Sequence, residues 1–180
     1  MTLAYRPPDN DRLHLLIDDI GLVLQVAQIY HLVMIEENIS TTALIEILLK
    51  LPDLLSLKIR SLSLEHSKTP YLKEETQMRL STSSKITSVI LEQMNHIDDI
   101  DFLIELCPKM NYLDLYWTQW MTDIRAFVEN IIRKIRERNR YLEHFSFGCP
   151  QVDDQPIETL ERMRDSHISL SDCIVKRVDE

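Results

Sequence analysis

The sequence predicts an α/β protein built as a repeat, with parallel strands each followed by a helix across a single domain of residues 1–180. Three observations predict it. The first is a spacing: in "CPKMNYLDLYW" the apolar residues Met110, Leu113 and Leu115 stand three and then two apart. A strand entered through a short turn does this, because alternate residues share one face while the earlier one tucks in from the bend. The second is recurrence. The same spacing appears in "IYHLVM" from Ile29, "LLSLKI" from Leu54, "ITSVIL" from Ile86, "MNYLDL" from Met110, "LEHFSF" from Leu142 and, less regularly, "LSDCIV" from Leu170. These starts are 25, 32, 24, 32 and 28 residues apart, which leaves room for one strand and one helix per unit. The third is a repeated turn, since "LPDLLSLKI" and "CPKMNYLDL" align Leu51 with Cys107, Pro52 with Pro108, Leu57 with Leu113 and Ile59 with Leu115.

Strands are therefore expected near 29–34, 54–59, 86–91, 110–115, 142–147 and 170–175. Between them, "TTALIEILLK" places Leu44, Ile45, Leu48 and Leu51 at helical spacing, and "DIDFLIELC" does so with Ile100, Leu103, Ile104 and Cys107. "MTDIRAFVENIIRKIRERN" aligns Ile124, Phe127, Val128, Ile131 and Ile135, with Thr122 or Asp123 suited to cap the helix. Shorter helices are expected from Thr69, where Pro70 fits the first turn, and over Pro156 to Met163.

Composition narrows the function. A hydrophobic content of 44% in 180 residues supports one sizeable core. A formal net charge of −9 and a pI near 5.1 disfavour nucleic acid and anionic membrane as partners and leave another protein. Leu22 to Ile35 is the longest apolar region, and Gln25, Gln28 and His31 interrupt it before it is long enough to span a bilayer. The start "MTLAYRPPDNDR" lacks the basic and apolar regions of a secretory signal. Three widely spaced cysteines, Cys107, Cys149 and Cys173, suit a reducing compartment, the cytosol or nucleus. With two glycines there is no phosphate-binding glycine loop and no nucleophile elbow, and no cofactor is expected.

The run from "SKITSVILEQMNHIDDIDFLIELCPKMNYLDL" through "FVENIIRKIRERNRYLEHFSF" to "DDQPIETLERM" resembles the irregular leucine-rich-repeat region of F-box and leucine-rich-repeat-like proteins of the bdelloid rotifer type. That resemblance implies a leucine-rich-repeat-like solenoid forming a short curved horseshoe segment. It also implies a protein-binding role, the substrate-recognition region of an F-box-type ubiquitin-ligase receptor. The chain departs from the family at the ninth repeat position, where Glu37, Leu62, Met94, Thr118 and Pro150 replace the usual Asn or Cys, so an asparagine ladder cannot form. Ile39, Leu64, Trp120 and Val152 supply apolar groups at the eleventh. "LPDLLSLKIRSL" superficially matches the opening of an F-box, yet its alignment with "CPKMNYLDL" makes it a repeat strand.

Chemical candidates are few. His96, Asp98, Asp99 and Asp101 invite a metal reading and hence a metal-dependent enzyme, but acids at a helix start complement its dipole, and Asp98 or Asp99 is placed to cap it. Cys149 and His144 near Asp153 and Asp154 suggest a thiol–imidazole pair, which strand parity does not bring together. The basic run Arg133, Lys134, Arg136, Arg138 and Arg140 is read as the solvated, cationic end of a helix. For Trp117 and Trp120, covering a loop edge and serving an interface both stay open.

If Leu113 and Leu115 face the core, parity turns Tyr112, Asp114 and Tyr116 to the other face, together with Ser56, Lys58 and Arg60, then Ser88, Ile90 and Glu92, then His144 and Ser146. Ser56, Lys58, Arg60, Glu92, Tyr112, Asp114, Tyr116 and His144 are the expected partner-binding residues, with the tyrosines as anchors and Asp114 solvated. The alternative is a structural piece of a longer repeat array.

Overall fold

The computed structural model describes residues 2–5, 28–64, 79–80, 82–117, 124–149 and 172–177. They form an α/β arrangement with eight strands: β1 (Thr2–Tyr5), β2 (His31–Met34), β3 (Ile39–Ser40), β4 (Ser56–Ser63), β5 (Ser88–Met94), β6 (Tyr112–Trp117), β7 (His144–Cys149) and β8 (Asp172–Arg177). The helices are α1 (Thr41–Lys50), α2 (Asp98–Leu106) and α3 (Ile124–Arg138). The main sheet runs β1-β2-β4-β5-β6-β7-β8, and the short β3 pairs with the end of β4. Every pairing is parallel. Parallel neighbours need a crossover between them, and α2 fills that role between β5 and β6, as α3 does between β6 and β7.

All six expected strand segments are strands, but each begins two residues later than its spacing template. In the five described cases the first apolar residue of the template, Ile29, Leu54, Ile86, Met110 and Leu142, lies just before its strand and is buried there. The next two apolar positions form rows across the sheet. One row is Leu32, Leu57, Val89, Leu113 and Phe145; the other is Met34, Ile59, Leu91, Leu115 and Phe147, all in register and all buried. Each fully buried Leu, Ile or Phe contributes on the order of 1.5–3 kcal/mol.

Backbone geometry repeats with the side chains. The carbonyls of Tyr30, Leu55, Thr87 and Asn111 each accept two N–H groups from successive residues at the entry of the next strand, at 2.8 to 3.1 Å. The helix-ending turn recurs as well. Leu51 (φ −118°, ψ 63°) ends α1 and Cys107 (φ −125°, ψ 65°) ends α2, and three residues later Leu54 and Met110 donate back to those two carbonyls.

Asn139 takes the corresponding place after α3. It is buried, its N–H donates to the Ile135 carbonyl, its side-chain amide donates to the Met110 carbonyl at 2.9 Å, and its side-chain oxygen accepts from the Tyr141 N–H at 2.8 Å. This link between adjacent turns was not among the expected features.

The helices close the core on one face of the sheet. In α2, Ile100, Leu103 and Ile104 are buried as their spacing requires, and Phe102 and Leu106 are buried as well, so only a narrow acidic strip is left. On α1 the buried residues are Leu44, Ile47 and Leu48, and Ile45 is only partly covered, a correction of less than one helical turn. Val128, Ile131, Ile132 and Ile135 seat α3. Trp117 also belongs to the core, packed on Phe127 at 4.6 Å between ring centroids, and this settles it against the interface reading.

At the ninth repeat position, Leu62 and Met94 are buried apolar groups, whereas Glu37 is exposed. Asn38, which precedes β3, takes a left-handed φ of 57°, a conformation asparagine tolerates, and donates its N–H to the buried Ser61 hydroxyl at 2.6 Å. The strand β1 was not expected. The caps proposed at Thr122 or Asp123, the helices proposed from Thr69 and from Pro156, Trp120 and the side chains of β1 and β8 lie outside the described residues.

Leu113→Asp is expected to unfold the protein or cost at least about 4 kcal/mol, because it buries an unpaired charge in the central row. Asn139→Ala should cost about 1–3 kcal/mol, since it strands a buried carbonyl and a turn N–H. Urea denaturation midpoints compare the two, and an Asn139→Ala midpoint equal to wild type would remove the inter-turn link from the account.

Candidate functional site

The face of the sheet opposite the helices carries the expected partner-binding residues in rows set by the same register. The first is His31, Ser56, Ser88, Tyr112 and His144; the second is Val33, Lys58, Ile90, Asp114 and Ser146. In a third, Tyr116 of β6 stands beside Gly148 of β7. Arg60 and Glu92 extend the face on β4 and β5. Among the eight, Asp114 is buried and the rest are half-buried.

Most charges on this face are compensated locally. Lys58 Nζ lies 2.6 Å from Glu92, and Arg60 lies 2.8 Å from Glu37, both pairs open to solvent. Such pairs fix side-chain orientation and contribute little to stability. Tyr112 and His144 sit side by side with ring centroids 6.4 Å apart.

Asp114 departs from expectation. It lies on the outer face as parity requires, but it is only 6% exposed and is not solvated. The tyrosines two residues to either side share its face, and Tyr116 donates its hydroxyl to Asp114 Oδ2 at 3.3 Å. Among the described residues Asp114 Oδ1 has no hydrogen-bond partner, nor has the hydroxyl of Ser146, its register neighbour, which is 4% exposed. Burial first, and then the Asp114 charge, push both the Tyr112 and Tyr116 phenols above the usual tyrosine range, and the hydrogen bond to Asp114 adds to this for Tyr116.

The other chemical candidates disperse. Asp99 is fully buried and turns back to accept the N–H groups of Asn95 and His96, both at 3.1 Å, so it orders the turn before α2. The residue preceding α2 is Ile97, with no side-chain cap, which corrects the capping role given to Asp98 or Asp99. Burial pushes the Asp99 carboxyl up, opposed by those two N–H groups. Asp101 faces α3 and pairs with Lys134 at 2.6 Å and Arg138 at 3.3 Å. His96 and Asp98 are exposed.

Among the described residues no group of three or more His, Cys, Asp and Glu side chains is arranged to hold a metal. The Cys107 thiol is buried in the core, where desolvation pushes it up to about 12. The basic run on α3 is partly neutralised by α2, since Arg138 also approaches Glu105 at 3.8 Å. No helix among the described residues is long and apolar enough to cross a membrane.

No protein-family model, curated protein or solved structure matches this chain. The outer face must therefore be read from its own chemistry.

The phenols provide a pH test. The folded state holds both protons more tightly than the unfolded chain does, so this contribution to stability is fully present below ordinary tyrosine ionisation. It is lost as pH rises through the folded values. Absorbance titration at alkaline pH should find two tyrosines ionising late, and Asp114→Asn should bring both toward the ordinary range. Ser146→Ala removes a buried hydroxyl without a partner, so it should leave stability unchanged or raise it by up to about 1 kcal/mol; a loss larger than that would mean the hydroxyl is satisfied.

Proposed function

We propose that the chain is a leucine-rich-repeat-like solenoid, a short curved horseshoe segment that binds another protein on the outer face of its sheet. The observation that carries this reading is the division of the sheet: one face is closed by helices over continuous apolar rows, and the other presents aromatic, charged and small polar side chains in register. Rows of half-buried tyrosine and histidine flanked by ion pairs have the composition that protein interfaces favour. Strands that follow one another across the sheet in chain order support the solenoid, because each unit then contacts only its neighbours.

Within that reading, the resemblance to F-box-associated repeats makes the chain the substrate-recognition region of a ubiquitin-ligase receptor acting in the cytoplasm or nucleus. The segment that superficially matches an F-box opening, Leu51 to Leu62, forms the turn before β4 and most of that strand, so adaptor docking is not assigned to it. A second reading, a structural segment of a longer repeat array, draws on β1 and β8, which end the ladder with one edge each unpaired among the described residues.

Photo-crosslinking from positions 58 and 144 on the outer face, compared with position 133 on α3, locates the partner. Crosslinks are expected from the outer face, and Tyr112→Ala and Tyr116→Ala should each weaken the captured complex by about 1–3 kcal/mol with folding intact. Loss of binding on charge reversal at Arg133 and Arg140, with the tyrosine variants unaffected, would move the interface to the helices.

A further inference from the structure

We propose that Asp114 and Ser146 together receive the guanidinium of an arginine side chain from the protein partner. This inference rests on the outer face being the binding surface and names what that surface recognises.

Two polar groups, each more than nine-tenths buried, stand on adjacent strands, each with an oxygen that has no partner among the described residues. Register neighbours in a sheet have backbones about 4.8 Å apart, so one planar group can reach both. Leaving a buried carboxylate oxygen and a buried hydroxyl without partners is costly, and both lie on the face that the helices do not cover. Lys58 and Glu92 neutralise one another, as do Arg60 and Glu37, whereas Asp114 has no ion pair among the described residues. Among the described residues the face therefore keeps one carboxylate without an ion pair, in a chain whose net charge is already −9.

The surroundings select the cation. Tyr112 and Tyr116 flank the carboxylate along β6, and aromatic rings stack on guanidinium planes. A guanidinium presents forked donors, which suit one carboxylate oxygen and one hydroxyl at once, while an ammonium is a compact and strongly hydrated point charge. A hard metal ion needs more convergent oxygens than this pair supplies. Entry is by exchange: the Tyr116 hydroxyl sits 3.3 Å from Oδ2, long for an O–H···O bond, and a charge-assisted N–H donor displaces it as the ring swings aside.

The test is a titration of the full chain, with tyrosine rings isotopically labelled, using three blocked tripeptides: acetyl-Gly-Arg-Gly-amide, its citrulline counterpart and its lysine counterpart. Saturable shifts of the Tyr112 and Tyr116 ring signals are expected with the arginine probe, and at least tenfold weaker binding with citrulline and with lysine. Asp114→Asn should weaken the arginine probe at least tenfold, and Tyr116→Phe, which removes the competing hydroxyl, should hold or tighten it. Should Asp114→Asn fail to fold, Ser146→Ala decides in its place, with a threefold to tenfold loss expected. Equal response to arginine and citrulline, equal response to lysine, or no saturable shift would overturn the inference and leave the oxygen pair to solvent. A partner complex broken by Tyr112→Ala but untouched by Asp114→Asn would overturn the arginine assignment alone. One untouched by every outer-face variant would overturn the binding surface as well.

Discussion

The structure depends on one backbone constraint repeated from β2 to β7: in the main sheet a single carbonyl before a strand takes the two N–H groups at the entry of the next. Tyr30, Leu55, Thr87 and Asn111 do this in turn. Because the bond is made at the strand entry, it sets where each strand begins relative to its neighbour. Register then follows for every later residue. A slip of one position would turn Leu57, Val89, Leu113 and Phe145 outward together and bring Lys58, Ile90, Asp114 and Ser146 into the core. The apolar rows and the shared carbonyl thus enforce the same alignment, one through solvent exclusion and the other through hydrogen-bond geometry.

That alignment tolerates irregular units. Strand starts separated by 24 residues and by 32 residues enter the sheet in the same way, so the difference in length is taken up between the strands. Towards the ends of β4 and β5, Leu62 and Met94 are buried apolar groups. Apolar groups there need no hydrogen-bond partners, and they hold neighbours together by packing alone. Asn139 supplies a local substitute, tying its own turn to the Met110 carbonyl of the preceding one. The exposed helix faces are settled by charge, with Asp101 and Glu105 of α2 set against Lys134 and Arg138 of α3.

How much of this was legible in the sequence depends on how local each signal is. The strands were legible because the three-then-two spacing is fixed by a turn and a pleat within six residues, whatever the interval between copies. β1 was not, because the first apolar position of its template would precede Met1, and Leu3 with Tyr5 does not by itself distinguish a strand. Trp117 shares the parity of Leu113 and Leu115, so its burial was written in the same alternation, but its place at the strand end hid that. Asp114 marks a different limit. Parity decides which face a residue takes, not whether its neighbours cover it, and the covering depends on tyrosines at both flanking positions and on the small residues Ser146 and Gly148 on the next strand.

The buried polar groups of the outer face differ from those of the turns in where they sit along the chain. In the turns, Asp99 accepts two N–H groups through Oδ2 while its Oδ1 has no partner among the described residues, Asn139 closes two bonds, and Ser61 accepts from Asn38. Each of these serves a turn, where a side chain must replace a backbone partner. Asp114 and Ser146 serve no turn, for they sit mid-strand, where backbone groups are already paired in the ladder. Folding gains nothing from a carboxylate there, and an apolar pair would fill the same positions at lower cost. The stability of the scaffold is supplied by the apolar rows of the opposite face, which offset that cost.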